Sequence, residues 1–451
     1  KVFKNIIAYD KFDFDGKKES MYALRPAFDT VADMIGKGKK VPESLLEIFA
    51  QNPEYSSKLD SLINAKDKVP FKIFDKKNAE KLFGKNLNIS ASQLEKFNLC
   101  RFSYFCNYGL NVRERQRAEI NPMQYGTIVH YILERFFGEY TKEEYLSLEE
   151  DKFQKIVCAY LAEYAVKYFG EEQLESNSFT YRLKTILDNV MYLMKHIMEE
   201  LSQSEFFVAD CELKIGEDIP SYTIVLPDGQ KIAVCGSVDR VDIMQRADIT
   251  YLRIIDYKTG TKQFKLSDIL YGINLQMLLY LHSIEASGGD KYGEIVPAGI
   301  LYMPATVPYI SSDSLKSIDK LPDELNKKLK MNGLLLKDTE IIHGMDKTDA
   351  ATYIPVKIKA GEPVSSTSLA TLAEFGKIFK KVDMLIAEMG KNIYNGNIEA
   401  KPLKGGHDSC EYCPYDSVCA YRQSNPITCF SVDNKTVIEE ITNEINGKEE
   451  E

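Results

Sequence analysis

The stretch IIDYKTG, residues 254–260, ends an apolar run with an aspartate, a tyrosine, a lysine and a glycine. Successive side chains of a β-strand alternate between its two faces, so Asp256 and Lys258 are expected on one face and Tyr257 on the other. Such a pair at the end of a strand is often only a solvated turn. Whether it forms part of a site therefore depends on the residues that the fold brings next to it.

Two more carboxylates, Asp239 and Asp242, lie upstream in the segment GSVDRVD at residues 236–242, which is predicted to be a strand. Sixteen residues separate Asp239 from Asp256, enough for a strand, a short turn and the start of the next strand. Neighbouring strands lie about 4.8 Å apart, so these two carboxylates could hold one Mg²⁺ between them. Lys258 would then orient or deprotonate an attacking water, or neutralise charge on a phosphate. Asp242 has the opposite strand parity and is expected to be structural.

Two predicted helices carry further polar residues. QMLLY, directly after the strand, places Gln276 and Tyr280 one turn apart on one helix face, which also fits the edge of an ordinary amphipathic helix. YGTIVHYILE contains His130, and a histidine on such a helix is more often packed or exposed than a metal ligand. Glu134, one turn after His130, is a candidate to accept its second N–H.

In this order, YGTIVHYILE, GSVDRVD, IIDYKTG and QMLLY resemble the PD-(D/E)XK nuclease core of the RecB/AddB type. The resemblance implies an α/β fold with a central mixed sheet flanked by helices, helical insertions, and hydrolysis of DNA with Mg²⁺ or Mn²⁺. The roles that it implies are metal binding by His130, Asp239, Asp256 and the backbone carbonyl of Tyr257, catalysis by Lys258, and positions near the DNA and the active site for Gln276 and Tyr280.

Three of the nine cysteines form a compact C-x2-C-x5-C pattern, Cys410, Cys413 and Cys419. A tetrahedral sulfur site needs a fourth ligand, which His407 could supply to zinc and Cys100 or Cys106 to an iron–sulfur cluster. One cysteine before the nuclease elements and three after them resembles the Fe–S nucleases. That resemblance implies a [4Fe–4S] cluster on Cys100, Cys410, Cys413 and Cys419, although Arg101 stands where the family usually has proline.

The segments VPAGILYMPATVPYI, LKMNGLLLKD and MDKTDAATYIPV resemble the C-terminal region of AddB/RexB subunits. This implies a nuclease domain of a cytoplasmic bacterial helicase-nuclease that resects double-strand breaks, with DNA and an AddA-type subunit as partners. No G-x-x-x-x-G-K-[ST] phosphate loop is present in the chain, so ATP hydrolysis would belong to that partner. The alternatives are a stand-alone Fe–S exonuclease of the CRISPR-adaptation type and a non-catalytic scaffold that binds DNA ends.

Composition bounds these interpretations. A net charge of −10 argues against broad non-specific nucleic-acid binding through a basic surface, and no apolar run reaches the length of a membrane span. The 451 residues are predicted to divide into a helical lobe at 1–85, a nuclease domain at 86–430 and an acidic tail at 431–451 that frays at its end. The chain begins with Lys1 rather than methionine, so we expect a piece of a longer protein.

Overall fold

A mixed six-stranded sheet lies at the centre of the protein, seen in a computed structural model that describes residues 23–36, 38–65, 72–73, 75–113, 122–170, 176–260, 262–308, 310, 321–348, 350–365, 367–419, 421 and 426–449. The strands are, in chain order, β1 (Leu87–Ile89), β2 (Phe207–Ile215), β3 (Thr223–Val225), β4 (Lys231–Val234), β5 (Gly236–Arg246), β6 (Ile249–Lys258), β7 (Glu294–Pro304), β8 (Asn332–Leu336), β9 (Lys357–Lys359), β10 (Glu362–Val364), β11 (Leu369–Ala370), β12 (Leu403–Gly405) and β13 (Ile427–Cys429).

The central sheet has the strand order β11-β8-β7-β6-β5-β2. β5 runs antiparallel to both of its neighbours, β2 and β6, whereas β6 and β7 are parallel. β6 is buried along most of its length, with Leu252, Ile254 and Ile255 fully inaccessible. A strand covered on both faces is apolar along most of its length, and Asp256 and Lys258 lie where β6 ends. The buried Arg253 within β6 is paired with Glu200 and Asp242. The predicted α/β fold with a mixed sheet flanked by helices is confirmed.

Helices cover both faces of this sheet. They are, in chain order, α1 (Leu24–Gly36), α2 (Glu43–Gln51), α3 (Ser56–Ala65), α4 (Lys76–Phe83), α5 (Ala91–Leu99), α6 (Arg101–Tyr104), α7 (Pro122–Glu139), α8 (Lys142–Leu146), α9 (Glu150–Phe169), α10 (Asn177–Ser202), α11 (Gln276–Ser287), α12 (Gly289–Tyr292), α13 (Leu321–Leu329), α14 (Thr339–Met345), α15 (Leu372–Tyr394) and α16 (Asn434–Glu449). A π-helical turn follows α6 at Phe105–Gly109, and a 3₁₀ turn spans Leu266–Tyr271. Within the described residues, no helix is both long and apolar enough to cross a membrane.

A second, three-stranded sheet is formed by β1, β3 and β4. β3 and β4 make an antiparallel hairpin, and β1 pairs with β4 to give the order β1-β4-β3. Gly229 in the connecting turn has φ 81, a left-handed conformation that glycine adopts without strain. The chain then leaves this sheet at Cys235 and enters the central sheet as β5. One continuous apolar stretch therefore serves two sheets.

The N-terminal helices α1 to α3 have a separate small core, built around Val31, Phe49 and Leu59. At the other end of the chain, residues 434–449 of the predicted tail form the helix α16. α16 places Val437, Ile441 and Ile445 in the main core and packs against α15. Because these three residues recur every four positions, they form one apolar helix face that the acidic composition of the segment concealed.

The N-terminus of α5 is closed by a capping box at Ser90 and Gln93. α5 begins at Ala91, where the Ser90 hydroxyl accepts from the Gln93 N–H and the Gln93 side chain accepts from the Ser90 N–H. Glu95 makes its contact at the start of α11, 180 residues further along the chain.

A carboxylate row with a histidine at the end of the central strands

Three carboxylates follow one another across the central sheet. Between β2 and β5, Cys211 pairs with Arg240 and Leu213 with Val238, so Glu212 and Asp239 occupy facing positions. Between β5 and β6, Arg240 pairs with Ile255, which puts Asp239 next to Asp256. The row therefore reads Glu212, Asp239, Asp256 on three adjacent strands.

Glu212 is the member of this row that the sequence analysis missed. Its backbone has φ 51, which is unusual for a side-chain-bearing residue within a strand and costs about 1 kcal/mol or more. The Ser237 hydroxyl donates to Glu212 Oε2 at 2.8 Å. Because neither the strand register nor the backbone angle can be read from ADCELKI, the only available signal was a lone acidic residue in an otherwise β-forming segment.

His130 reaches the row from α7. Its Nδ1 lies 3.1 Å from Glu212 Oε1 and 3.7 Å from Asp239 Oδ2, and its ring meets the Tyr257 ring edge-on. One ligand atom from each of His130, Glu212 and Asp239 can be chosen so that all lie within 4.8 Å of one another. Burial lowers the pKa of His130, but the neighbouring Glu212 and Asp239 outweigh it and raise that pKa. Glu134, the sequence candidate for this contact, is exposed instead.

The row carries more negative charge than its surroundings compensate. Burial, and then the adjacent Asp256, raise the pKa of Asp239 to about 7. Asp256 itself is only 2% exposed. Two buried carboxylates side by side are costly unless a cation lies between them. A histidine nitrogen with carboxylate oxygens is a donor set that suits a divalent metal ion, so the residues present fit such an ion.

The DYK segment distributes its side chains as the strand parity predicts. Lys258 Nζ lies 2.5 Å from Asp256 Oδ2, and the lysine side chain is 27% exposed. The backbone N–H of Tyr257 donates to Asp239 Oδ2 at 2.9 Å, whereas its buried ring lies on the opposite face, with Arg240 Nη1 3.4 Å from its hydroxyl. The peptide of Tyr257 thus belongs to the carboxylate row while its side chain belongs to the core.

Beneath that face lies a fully buried ion network of Arg240, Arg253, Asp242 and Glu200. Arg240 donates to both carboxylate oxygens of Asp242 at 2.6 Å, and Arg253 donates to Glu200 Oε1 at 2.6 Å. Two guanidinium groups facing two carboxylates compensate one another's charge in the core. Asp242 is therefore bound in the core network, on the face away from Asp239.

The start of α11 is fixed by a distant carboxylate. Glu95 Oε1 accepts from the backbone N–H groups of Leu275 (2.8 Å) and Gln276 (3.3 Å), which caps the N-terminus of that helix. Gln276 is the half-buried first residue of α11. Tyr280 is buried one turn further on, where its hydroxyl fills the space that a side chain on Gly236 would need. Burial raises the pKa of Tyr280 to about 12, with Asp239 and Asp256 among its neighbours.

The cysteines of the C-terminal pattern meet the upstream ones in a small apolar cluster. Cys100, Cys106, Phe102 and Tyr415 are its buried members, with Cys413 and Cys419 packed against them. Burial raises the pKa of Cys100, and the neighbouring Cys413 and Cys410 raise it further. All of these cysteines are free thiols. The residues therefore fit a group bound by several thiolates.

Within this region, two candidates for the fourth ligand differ in position. Cys106 is buried, and burial together with the neighbouring Cys413 and Cys100 raises the pKa of its thiol. It therefore remains an alternative to Cys100 as the fourth ligand. His407 lies instead with its Nε2 3.8 Å from Asp268 Oδ2, next to the 3₁₀ turn.

Comparison with known proteins identifies what this architecture resembles. The model of the PD-(D/E)XK nuclease superfamily matches residues 88–420. A protein of Thermoanaerobacter sp. (strain X514), named as the B subunit of an ATP-dependent helicase/deoxyribonuclease, is 34% identical over 354 residues, which are 76% of this chain and 30% of that protein. Proteins of the same name from Clostridium acetobutylicum (30% identical; 91% of this chain, 37% of that protein) and Clostridium kluyveri (34%; 89% and 36%) are also similar. The chain spans about a third of the length of the curated relatives it matches.

Proposed function

The chain belongs to the PD-(D/E)XK nuclease superfamily, and from this premise we propose that it hydrolyses phosphodiester bonds of DNA at the carboxylate row, using Mg²⁺ or Mn²⁺. The observation that carries the proposal is the row of Glu212, Asp239 and Asp256 on three adjacent strands, with His130 Nδ1 3.1 Å from Glu212 and 3.7 Å from Asp239. Buried carboxylates that are protonated easily in the free protein gain most from a bound cation.

In this proposal the metal ligands are His130, Asp239, Asp256 and the carbonyl of Tyr257. Such an ion supplies Lewis-acid stabilisation of phosphate charge and lowers the pKa of a bound water. Glu212 contacts His130 Nδ1 and so fixes the orientation of the imidazole beside Asp239. The Tyr257 N–H fixes Asp239 Oδ2, so the orientation of that carboxylate is set by the backbone.

Lys258 is the proposed catalytic lysine. Its ammonium is held by Asp256 on the metal face of β6 and is partly open to solvent. From there it can orient the attacking water, or neutralise charge that develops on the phosphate. Gln276 and Tyr280 complete the site from α11, whose N-terminus Glu95 fixes.

The similar proteins suggest the context of this activity. Three of them are named as the B subunit of an ATP-dependent helicase/deoxyribonuclease. We therefore assign this chain to an AddAB-type complex that resects double-strand breaks for recombinational repair, with DNA and an AddA-type subunit as partners. ATP hydrolysis would be the work of that partner.

The cysteine cluster is proposed to bind a [4Fe–4S] cluster through Cys100, Cys410, Cys413 and Cys419. The support is the apolar pocket that Cys100 shares with Cys413 and Cys419, together with their mutual effect on thiol pKa values. A group bound there joins segments about 300 residues apart in the sequence, and such a link stabilises a fold chiefly by restricting the unfolded chain.

A cleavage assay tests the nuclease proposal. Protein prepared without oxygen is incubated with linear single-stranded and duplex DNA, with Mg²⁺ or with EDTA, beside the Asp256→Asn variant. We expect degradation only with metal and only by the wild-type protein. Equal cutting by wild type and Asp256→Asn, or cutting in EDTA, would overturn the assignment of this site. DNA binding without cutting under every metal condition would favour a non-catalytic scaffold.

A further inference from the structure

A cavity of about 560 Å³ opens beside the proposed catalytic lysine, between the end of β6 and the segment that leads into the cysteine cluster. Lys258 lines it at one side and His407 at the other, and Lys262, Lys265, Asp268 and Asn274 lie between them. Three lysines and a histidine therefore face a single carboxylate. On a chain with a net charge of −10, this is a local concentration of positive charge.

The one carboxylate in the cavity already has partners. Asp268 is 4% exposed, accepts a hydrogen bond from the Asn274 side-chain amide, and lies 3.8 Å from His407 Nε2. Asn274 takes up this position with φ 53, in the left-handed region that asparagine tolerates better than most residues. The acidic side chain is thus part of the wall. Because Lys258 is paired with Asp256, Lys262 and Lys265 are the cavity lysines left to face an anion.

Lys262 is the most informative of these cations. It is half-buried, and burial lowers its pKa, which means that the charged form lacks full compensation. In the part of the chain that the structure describes, no carboxylate lies within 4 Å of its ammonium. Its nearest partner is the Tyr302 ring, whose centroid is 5.0 Å away, and Lys258 Nζ lies 5.9 Å from the same centroid.

The backbone that carries Lys262 is held in place from β8. The Asn332 side chain donates to the Lys262 carbonyl at 3.0 Å and accepts from the Phe264 N–H at 2.8 Å. The preceding end of β6 is tied to β7 by the Ala305 N–H, which donates to the Lys258 carbonyl at 2.8 Å. The cavity lysines therefore project from a fixed backbone, so little order has to be gained when an anion binds.

We propose that this cavity binds a phosphate of the DNA strand next to the one that is cut, with Lys262 and Lys265 as its cationic ligands and His407 at its far wall. The inference rests on the proposed nuclease function, because it takes Lys258 as the neighbour of the scissile phosphate. A strand bound in this way runs from the carboxylate row toward the cysteine segment. The site recognises the sugar-phosphate backbone and reads no base.

The test compares two substrates of the wild-type protein, Lys262→Met, Lys262→Met/Lys265→Met, and Lys357→Met as a matched control. Lys357 is exposed on β9 and does not line the cavity. One substrate is a single-stranded oligonucleotide, and the other is thymidine 5′-(p-nitrophenyl phosphate), which has no second phosphate. The value of kcat/KM for the oligonucleotide, divided by that for the small diester, should fall about tenfold in the double variant. The fall should come mainly from a higher KM for the oligonucleotide.

Salt dependence gives an independent readout. Each lost contact to a single-strand phosphate should reduce the slope of log binding constant against log salt concentration by about 0.7. A double variant with the substrate ratio and salt slope of Lys357→Met would overturn the phosphate site while leaving the nuclease assignment intact. A wild-type protein that neither binds nor cuts either substrate would overturn both.

Discussion

Tyr257 and Asp239 are joined across the β5–β6 pair by a hydrogen bond from the Tyr257 N–H to Asp239 Oδ2, 2.9 Å long. This bond fixes a carboxylate of the proposed metal site with a backbone N–H, which every residue except proline would supply at this position. The Tyr257 side chain points the other way, toward Arg240 in the buried ion network. One residue therefore couples the chemistry on one face of the sheet to the charge balance on the other.

The two faces predict opposite effects for two similar substitutions. Asp242→Asn leaves Arg240 and Arg253 buried with a single carboxylate, so it should reduce the free energy of unfolding by about 3–5 kcal/mol. Asp239→Asn removes one of two adjacent buried carboxylates. Since the pKa of Asp239 is raised to about 7, its charged form destabilises the metal-free protein above that pH, and the variant should be more stable than wild type at about pH 8.

Denaturant unfolding of both variants in EDTA at about pH 8 measures this contrast. Added Mn²⁺ should raise the melting temperature of the wild type and leave that of Asp239→Asn unchanged, because a ligand stabilises only the state that binds it. Equal destabilisation by the two substitutions would mean that Asp239 is a structural residue like Asp242.

Glu212→Gln should weaken metal binding about 10–100-fold, since the carboxylate that holds His130 Nδ1 is lost. Cutting should recover when the metal concentration is raised, because the ligands themselves remain. Titration of Mn²⁺ by calorimetry measures the affinity, with Glu217→Gln in the exposed turn after β2 as the control. An unchanged affinity would leave Glu212 with no part in the site.

The sequence predicts this site unevenly, for physical reasons. Asp239, Asp256 and Lys258 follow from strand parity and spacing, because alternation is a local property of the chain. Glu212 and Glu95 do not, since the first depends on the register between β2 and β5 and on a positive φ, and the second caps a helix 180 residues away. The burial of α16 depends on its packing against α15, and no local pattern shows which helix its apolar face will contact.

Cys100→Ser should lose the bound iron of protein purified without oxygen and lower its melting temperature, because the tie between the two ends of the nuclease region is lost. Cys158→Ser, on α9 away from the cluster, is the control. Iron content, sulfide content and the broad absorbance near about 400 nm are measured. Loss of iron in Cys106→Ser with retention in Cys100→Ser would exchange the two ligands, and stoichiometric zinc would replace the cluster altogether.

A pH effect is expected from His282, which lies on α11 far along the helix from Gln276. Its Nε2 is 3.0 Å from Asp383 Oδ1, which also accepts from the Tyr222 hydroxyl at 2.9 Å, and its ring stacks on Phe379. Burial lowers the pKa of His282, but Asp383 and Glu285 outweigh it and raise that pKa to about 9. The stabilisation is complete below about pH 6.5 and is lost as the pH rises through about 9.

His282→Gln should therefore lower the free energy of unfolding by on the order of 2 kcal/mol at about pH 6 and by much less at about pH 9.5, where the imidazole is neutral. The effect at about pH 6 is modest because Asp383 is a third exposed and solvent weakens the pair. Unfolding free energies at the two pH values measure this, with His343→Gln on the exposed face of α14 as the control. A cost that is the same at both pH values would assign His282 a packing role only.

Lys258→Met tests whether the ammonium of IIDYKTG is chemical or structural. The ammonium contacts the buried Asp256, so its loss should lower the free energy of unfolding of the metal-free protein by about 1–3 kcal/mol, and bound metal should offset that loss. Metal binding should be at least as tight as in wild type, because an ammonium that competes for Asp256 has been removed.

Cutting by Lys258→Met should nevertheless be at least about a hundredfold slower, which corresponds to about 3 kcal/mol in the barrier. Lys258→Arg should restore only part of the rate, since a planar guanidinium cannot occupy the same point or release a proton. Single-turnover cleavage at saturating Mg²⁺ measures the rate, and a Lys258→Met protein that cuts like wild type would return this lysine to an ordinary strand end.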